Sequence, residues 1–285
     1  MKEIVLDSVA DGIRMAPFLF LTYLVMEWME HKTGDVTKKA VERAGRFGPL
    51  IGAVLGAFPQ CGFSAAAGSL YAGRVITLGT LFAIYLSTSD EMLPVMISEA
   101  AGAGLVMKVL GCKIVIGMCM GFLIDMSVGR HAKEAGHNQI GELCSHEHCH
   151  CGENARGIVW PALYHTLQVS FFVLLITFGL NLAVHLIGEP VLSGLFAQNG
   201  VLGVFLAGLI GLFPNCASSV LITQLYLEGV LDFGAMLSGL LTGSGIGLLV
   251  LYRVNHNWRE NVCITAGLYM AGVVCGLLAN AAGMM

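Results

Sequence analysis

The sequence predicts an all-α polytopic membrane protein, an inverted structural repeat of two five-segment halves with broken helices. Three observations lead there. The 285-residue chain is 56% hydrophobic and only 12% charged, with a mean hydropathy of +0.76, whereas a soluble domain carries roughly 25% charged residues. Its apolar runs approach the ~20 residues that cross a bilayer. The chain also repeats itself: residues 48–89 laid on 203–244, at a constant offset of 155, coincide at twelve of forty-two positions. Among them are Gly56/Gly211, Phe58/Phe213, Pro59/Pro214, Cys61/Cys216, Ser64/Ser219, Gly79/Gly234 and Ser89/Ser244. A duplicated apolar chain with matching interruptions points to a transporter whose site lies where the repeats meet.

Segments fall near 15–30, 48–58, 62–73, 77–99 and 104–126 in the first half, and near 158–183, 201–213, 217–228, 233–252 and 262–283 in the second. This divides the chain into a first membrane repeat (1–126), a His/Cys-rich loop (127–157) and a second membrane repeat (158–285). Met15–Trp28 follows Asp7 and Asp11 and lacks a small-residue cleavage site, so it reads as a retained helix rather than a signal peptide. The pairs 48–58/62–73 and 201–213/217–228 are too short to span singly as straight helices. Each is a broken helix, two short tilted helices or a hairpin. Small residues every fourth position (Gly48/Gly52/Gly56, Gly203/Ala207/Gly211, Gly239/Gly243/Gly247) predict faces of close backbone packing.

Basic residues set the orientation. Loop 31–47 carries Lys32, Lys38, Lys39, Arg43 and Arg46, and the equivalent loop 184–200 carries no Lys or Arg. Positive loops stay cytoplasmic, so equivalent loops face opposite sides and the repeat is inverted. Loop 31–47, Arg74, the 127–157 loop and Arg253–Arg259 are then inside, which accounts for eleven of the fifteen Lys and Arg. Both termini are outside.

Pro59 and Pro214 each remove a backbone donor and clash with the preceding turn, so the helix breaks there. The freed backbone groups need a protein interior or a polar cavity. Each break carries an amide (Gln60, Asn215), a thiol (Cys61, Cys216) and a hydroxyl (Ser64, Ser219). Brought together near the midplane, this donor set suits a soft or borderline metal. A second break runs Ser87-Thr88-Ser89-Asp90-Glu91 ahead of Pro94, with Thr242-Gly243-Ser244-Gly245-Ile246 as its counterpart. Carboxylates at membrane depth are expensive and read as functional by default, so Asp90 and Glu91 are candidates to ligate a cation or exchange protons with it. Lys113 either pairs with an acid or reaches toward the interface. Glu27, His165 and Asn181 are weaker candidates. Cys112, Cys119, Cys263 and Cys275 read as small buried hydrophobes.

The loop between the halves reads Cys144-Ser-His146-Glu-His148-Cys149-His150-Cys151. Six Cys/His side chains in eight residues supply the nitrogen and sulfur ligands that zinc and its neighbours take. The spacing is not that of a zinc finger, and the loop is expected to be a flexible collector or sensor.

These residues together resemble the ten-transmembrane-helix heavy-metal exporters, bacterial membrane proteins related to arsenic-efflux permeases, some of which carry a manganese-transporter label. The resemblance rests on the duplicated Phe-Pro-(Gln/Asn)-Cys breaks, the Ser-Thr-Ser-Asp-Glu segment and the loop between two five-segment halves. It implies export of a toxic or surplus metal across the cytoplasmic (inner) membrane. Arsenical permeases carry a second cysteine two positions after the first; here Phe63 and Ser218 stand there, which argues against a multi-thiolate arsenic site.

The expected function is therefore a non-enzymatic secondary transporter exporting a divalent transition metal such as zinc or manganese by alternating access, coupled to protons through Asp90. An efflux permease for trivalent arsenic or organoarsenicals is the alternative cargo, and a membrane metal sensor the alternative of another class. A membrane-embedded hydrolase or thiol oxidoreductase lacks its motif: no His-Glu-x-x-His and no Cys-x-x-Cys lies in a membrane segment. No phosphate-binding Gly-rich Lys-Ser/Thr motif is present either. No tightly bound cofactor is expected. The expected partners are the metal-ion substrate and the lipid bilayer, with a homodimer left open and no nucleic acid. The topology has a direct check. Cysteines introduced into loops 31–47 and 184–200 should react with an impermeant thiol reagent from opposite sides of the membrane; reaction from one side would defeat the inverted arrangement.

Overall fold

The computed structural model describes residues 45–59, 61–89, 92–128, 200–213 and 216–283, with isolated positions between 20 and 24 and between 160 and 171. At 61–62, 128 and 216–217 only the backbone is described. The segments expected near 15–30 and 158–183, most of loops 31–47, 127–157 and 184–200, and both chain ends lie outside the described residues.

Among the described residues all regular structure is helical. After a 3-10 turn at Gly45–Phe47 come α1 (Gly48–Gly56), α2 (Cys61–Ala72), α3 (Leu78–Ser87), α4 (Met92–Ser98) and α5 (Ala103–Val128). The second half follows with α6 (Gly200–Gly211), α7 (Cys216–Leu227), α8 (Phe233–Thr242), α9 (Gly247–Val254) and α10 (Trp258–Ala281). The pairs α2/α7, α3/α8, α4/α9 and α5/α10 begin 155 residues apart, and α1 and α6 end 155 apart, at Gly56 and Gly211. Among the described residues three stretches are long and apolar enough to cross a membrane: Ala103–Ser127, Phe233–Val254 and Trp258–Ala281.

Local chemistry repeats with the elements. α2 ends in a turn closed by Gly73 N–H to Ser69 O, Arg74 N–H to Tyr71 O and Val75 N–H to Leu70 O; α7 ends in the equivalent turn, from Glu228 N–H to Gln224 O, Gly229 N–H to Tyr226 O and Val230 N–H to Leu225 O. Such a turn needs one left-handed residue. The second half uses Gly229 (φ 73°), and the first places Arg74 there (φ 60°), which costs a side-chain-bearing residue roughly 1–2 kcal/mol.

α3 starts at Thr77, whose hydroxyl accepts the Thr80 N–H at 3.1 Å, and α8 starts at Asp232, whose carboxylate accepts the Ala235 N–H at 2.6 Å. The far end of the fifth helix completes both caps. Asp125 accepts the Gly79 N–H at 2.9 Å and the Thr77 hydroxyl at 2.8 Å. Asn280 accepts the Gly234 N–H at 3.0 Å and donates to Asp232 at 2.8 Å. The carboxylate has changed sides between the halves while the hydrogen-bond circuit is kept. A side chain at Gly79 would overlap the Gly121 carbonyl, and one at Gly234 the Gly276 carbonyl, so these glycines let α5 and α10 lie directly on α3 and α8.

In each half the first, third and fifth helices pack as a layer: α1, α3 and α5, then α6, α8 and α10. The second and fourth helices cross over, with α2 on α9 and α7 on α4, and α3 meets α8 at the centre. The core is this central region: Leu81, Ile84, Tyr85, Leu86, Ile222, Met236 and Leu241 are buried. The outer helices turn apolar stripes outward, including Met107, Val115, Leu123 and Met126 on α5 and Val262, Met270, Val274 and Leu278 on α10. That arrangement is stable in lipid rather than in water.

The second breaks lie where the sequence puts them: α3 stops at Ser87 before α4 begins at Met92, and α8 stops at Thr242 before α9 begins at Gly247. Three expectations change. The spacing Gly239/Gly243/Gly247 does not line one helix face, because α8 stops at Thr242 and Gly243 lies in the break. α10 begins at Trp258, earlier than 262, because Asn257 caps it. Cys119 and Cys263 are exposed rather than buried; on the outside of a lipid-facing helix a small apolar thiol needs no burial.

The cap circuit predicts a contrast. Asp125→Ala should lower unfolding stability by about 1–2 kcal/mol, since it strands the Gly79 N–H and the Thr77 hydroxyl. Asp125→Asn, which reproduces the second half's chemistry, should lose less than half of that. Thermal unfolding of the purified protein in detergent measures both.

Candidate functional site at the crossed breaks

The first break begins as α1 and α6 unwind. Phe58 N–H turns back to Leu55 O and Phe213 N–H to Ile210 O, at 3.2 and 3.1 Å. Pro59 follows outside any helix. Gln60, Pro214 and Asn215, and the side chains of Cys61 and Cys216, lie outside the described residues, although the backbones of the two cysteines open α2 and α7. Asp90 and Glu91 and the loop ligands Cys144, His146, His148, Cys149, His150 and Cys151 also lie outside them, as do Glu27, His165 and Asn181.

The described residues show how the second break is held. Ser87 and Thr88 both turn their hydroxyls back to Ile84 O, at 3.0 and 2.8 Å. Ser89 donates to Ala57 O at 2.7 Å, which ties the second break of the first half to its first break. In the second half Thr242 sits among the carbonyls of Gly208, Ser238 and Gly239, at 2.9–3.2 Å. Gly243 lies beside Ser219: a Cβ there would stand 3.5 Å from the Ser219 hydroxyl. Ser64, Ser87, Ser89, Thr242 and Ser244 are all buried. Pro94 is buried in the first turn of α4, where its missing N–H leaves no helical bond unmade.

Contacts between the halves concentrate at the same level. Gly247 opens α9 against α2, and a Cβ on it would lie 2.7 Å from Ser64 O. Tyr85, fully buried on α3, donates to Gly247 O at 2.8 Å. Lys113 on α5 is 1% exposed. Its ammonium donates to Thr88 O, at the end of α3, and to Leu240 O in the last turn of α8, the latter at 2.7 Å. Lys113 therefore does not reach toward the interface; it joins the two halves. The signal for it was a lysine inside a 26-residue apolar helix. Tyr85 carried no signal, because a tyrosine in an apolar run is ordinary.

Polar bridges also close the two ends. Arg74 makes a bidentate pair with Glu260 at 2.7 and 2.9 Å, and Tyr71 donates to the same carboxylate. The hydrogen bonds to Glu260 raise the Arg74 pKa above its ordinary value, so the guanidinium keeps its charge. At the other end Gln224 donates to Glu99 at 3.0 Å and to Glu228 at 3.4 Å.

The family model described as "Putative, 10TM heavy-metal exporter" matches residues 1–164. The described helices beyond that match, from Gly200 to Ala281, follow the earlier ones at the offset of 155. No curated protein and no solved structure matches the chain.

The bridge between Arg74 and Glu260 predicts a charge-swap result. Arg74→Glu and Glu260→Arg should each lower stability by about 0.5–1 kcal/mol, as expected for a partly exposed pair. The double variant should recover most of it. Thermal midpoints of the three variants, compared at low and high salt, decide the point.

Proposed function

The chain belongs to the family of ten-transmembrane-helix heavy-metal exporters, and on that premise we propose that it is a secondary-active transporter. In this reading it carries a divalent transition metal such as zinc or manganese out of the cell across the bacterial inner membrane, by alternating access and in exchange for protons. The observation that carries the reading is the crossing of interrupted helices from two related halves at a buried polar centre. α2 lies on α9, α7 lies on α4, and Lys113 bridges the ends of α3 and α8. Broken helices meeting near the midplane are where secondary transporters bind cargo.

Inversion of the second half is supported by which ends meet. The Arg74–Glu260 pair sets the turn 73–77 beside the start of α10, and the Gln224–Glu99 bond sets the end of α7 beside the turn 99–102. A parallel repeat would place the turn 73–77 beside its equivalent, 228–232. The basic residues Arg74, Arg253 and Arg259 then share the cytoplasmic end. Cys61 and Cys216, with Gln60, Asn215, Ser64 and Ser219, form the soft side of the cargo site. Ser87, Ser89, Asp90, Glu91, Thr242 and Ser244 line its oxygen side, and Asp90 takes the exchanged proton. The Cys144–Cys151 loop collects metal on the cytoplasmic face.

Flux in proteoliposomes across a panel of divalent metals and arsenicals tests this. The wild type should carry a divalent metal, and Cys61→Ala, Cys216→Ala and Asp90→Asn should each reduce that flux to background with the thermal midpoint kept within a few degrees. Wild-type flux in all three variants removes the site assignment. Flux of arsenite alone replaces the cargo, and absence of any flux favours the sensor.

A further inference from the structure

Lys113 is the buried cation of the centre among the described residues. It lies ten residues into α5, about 15 Å along the helix and so near the middle of a ~30 Å hydrocarbon layer. Two of its N–H bonds go to backbone carbonyls, Thr88 O and Leu240 O. Both belong to the ends of interrupted helices, where carbonyls lack an amide partner from their own helix. Each such end carries partial negative charge, so both ends favour a positive group between them. The second half places Leu268, fully buried, at the position equivalent to Lys113.

We propose that the carbonyl groups of Thr88 and Leu240 form a monovalent-cation site that the protein fills with its own ammonium, Lys113, in place of a free sodium or alkylammonium ion. Helix C-termini and unwound carbonyls are where transporters with broken helices hold a coupling cation. An ammonium and a small alkali ion make the same demand, a few oxygen dipoles converging on one positive charge. With Lys113 in place the wild type needs no inorganic cation at this crossing, and the bond to Leu240 O holds α8 of the second half to α5 of the first. The proposal deepens the transporter reading, but its test reads stability rather than flux.

Lys113→Ala leaves room for an ion, and Lys113→Met fills the room without a charge. The probes are sodium, methylammonium and ethylammonium chloride, against choline chloride at equal ionic strength. The wild-type thermal midpoint should be the same in all four salts. Both variants should melt roughly 5 °C or more below the wild type, because two interior carbonyls lose their donor. Methylammonium or ethylammonium should restore at least half of the loss in Lys113→Ala and none in Lys113→Met, and choline should restore neither. Equal effects of choline and the small cations, no rescue by any ion, or a Lys113→Met protein as stable as wild type each overturn the proposal. Should Lys113→Ala not be recoverable, Lys113→Ser replaces it. If neither folds, yield with ethylammonium present during extraction is the readout, and no gain in yield is the overturning result. Rescue of stability with flux still absent would bear on the transport reading and leave the cation site standing.

Discussion

A helix that stops inside a membrane releases carbonyl and amide groups that hydrocarbon cannot satisfy. The architecture of this chain follows from where it puts them. α3 and α8 each end in the protein interior, and carbonyls at and around the breaks are met by hydroxyls and by one long cationic side chain. Ser89 reaches Ala57 O, Thr242 sits among three carbonyls, Tyr85 reaches Gly247 O, and Lys113 takes Thr88 O and Leu240 O. Without these partners the breaks would be driven back toward continuous helix, and the crossing of α2 with α9 and α7 with α4 would have nothing to surround.

The two halves solve equal problems with different residues. The cap of the third helix uses Thr77 with Asp125 in one half and Asp232 with Asn280 in the other. The left-handed turn after the second helix takes Gly229 at no strain, yet Arg74 accepts the same conformation and pairs with Glu260. The centre takes Lys113 in one half and Leu268 in the other. A duplicated chain can bring equivalent elements together by geometry alone. The cap difference lies within each half, whereas Arg74 and Lys113 reach across to the other half, at Glu260 and Leu240 O.

Much of the fold was legible because its cause is periodic. The pairs of breaks, the small-residue faces of α1 and α6, and the match of α2 with α7 are visible in the offset of 155. The interruption at 88–91 was signalled by Ser87 to Pro94, although hydropathy alone joined 77–99 into one span. The start of α10 was not visible, because Asn257 looks like any polar loop residue until its side-chain amide oxygen accepts the Glu260 N–H. The exposed positions of Cys119 and Cys263 were misjudged for a related reason: hydrophobicity predicts burial in water, but in lipid it does not distinguish inside from outside.

The candidate site shows the same division. Its residue types, a thiol, an amide and hydroxyls at each break, are a matter of composition and spacing, and so is membership of the exporter family, which the first 164 residues carry. The sequence by itself determined a membrane protein with two related halves and paired helix breaks, since hydropathy, proline and repetition act along the chain. Only the tertiary structure decided that Lys113 spans both halves, that Tyr85 closes on Gly247 and that Arg74 meets Glu260 across 186 positions. Those partners are far apart in sequence, and the physics that pairs them, the need of a buried polar group for whichever partner lies nearest in space, leaves no trace in the order of residues.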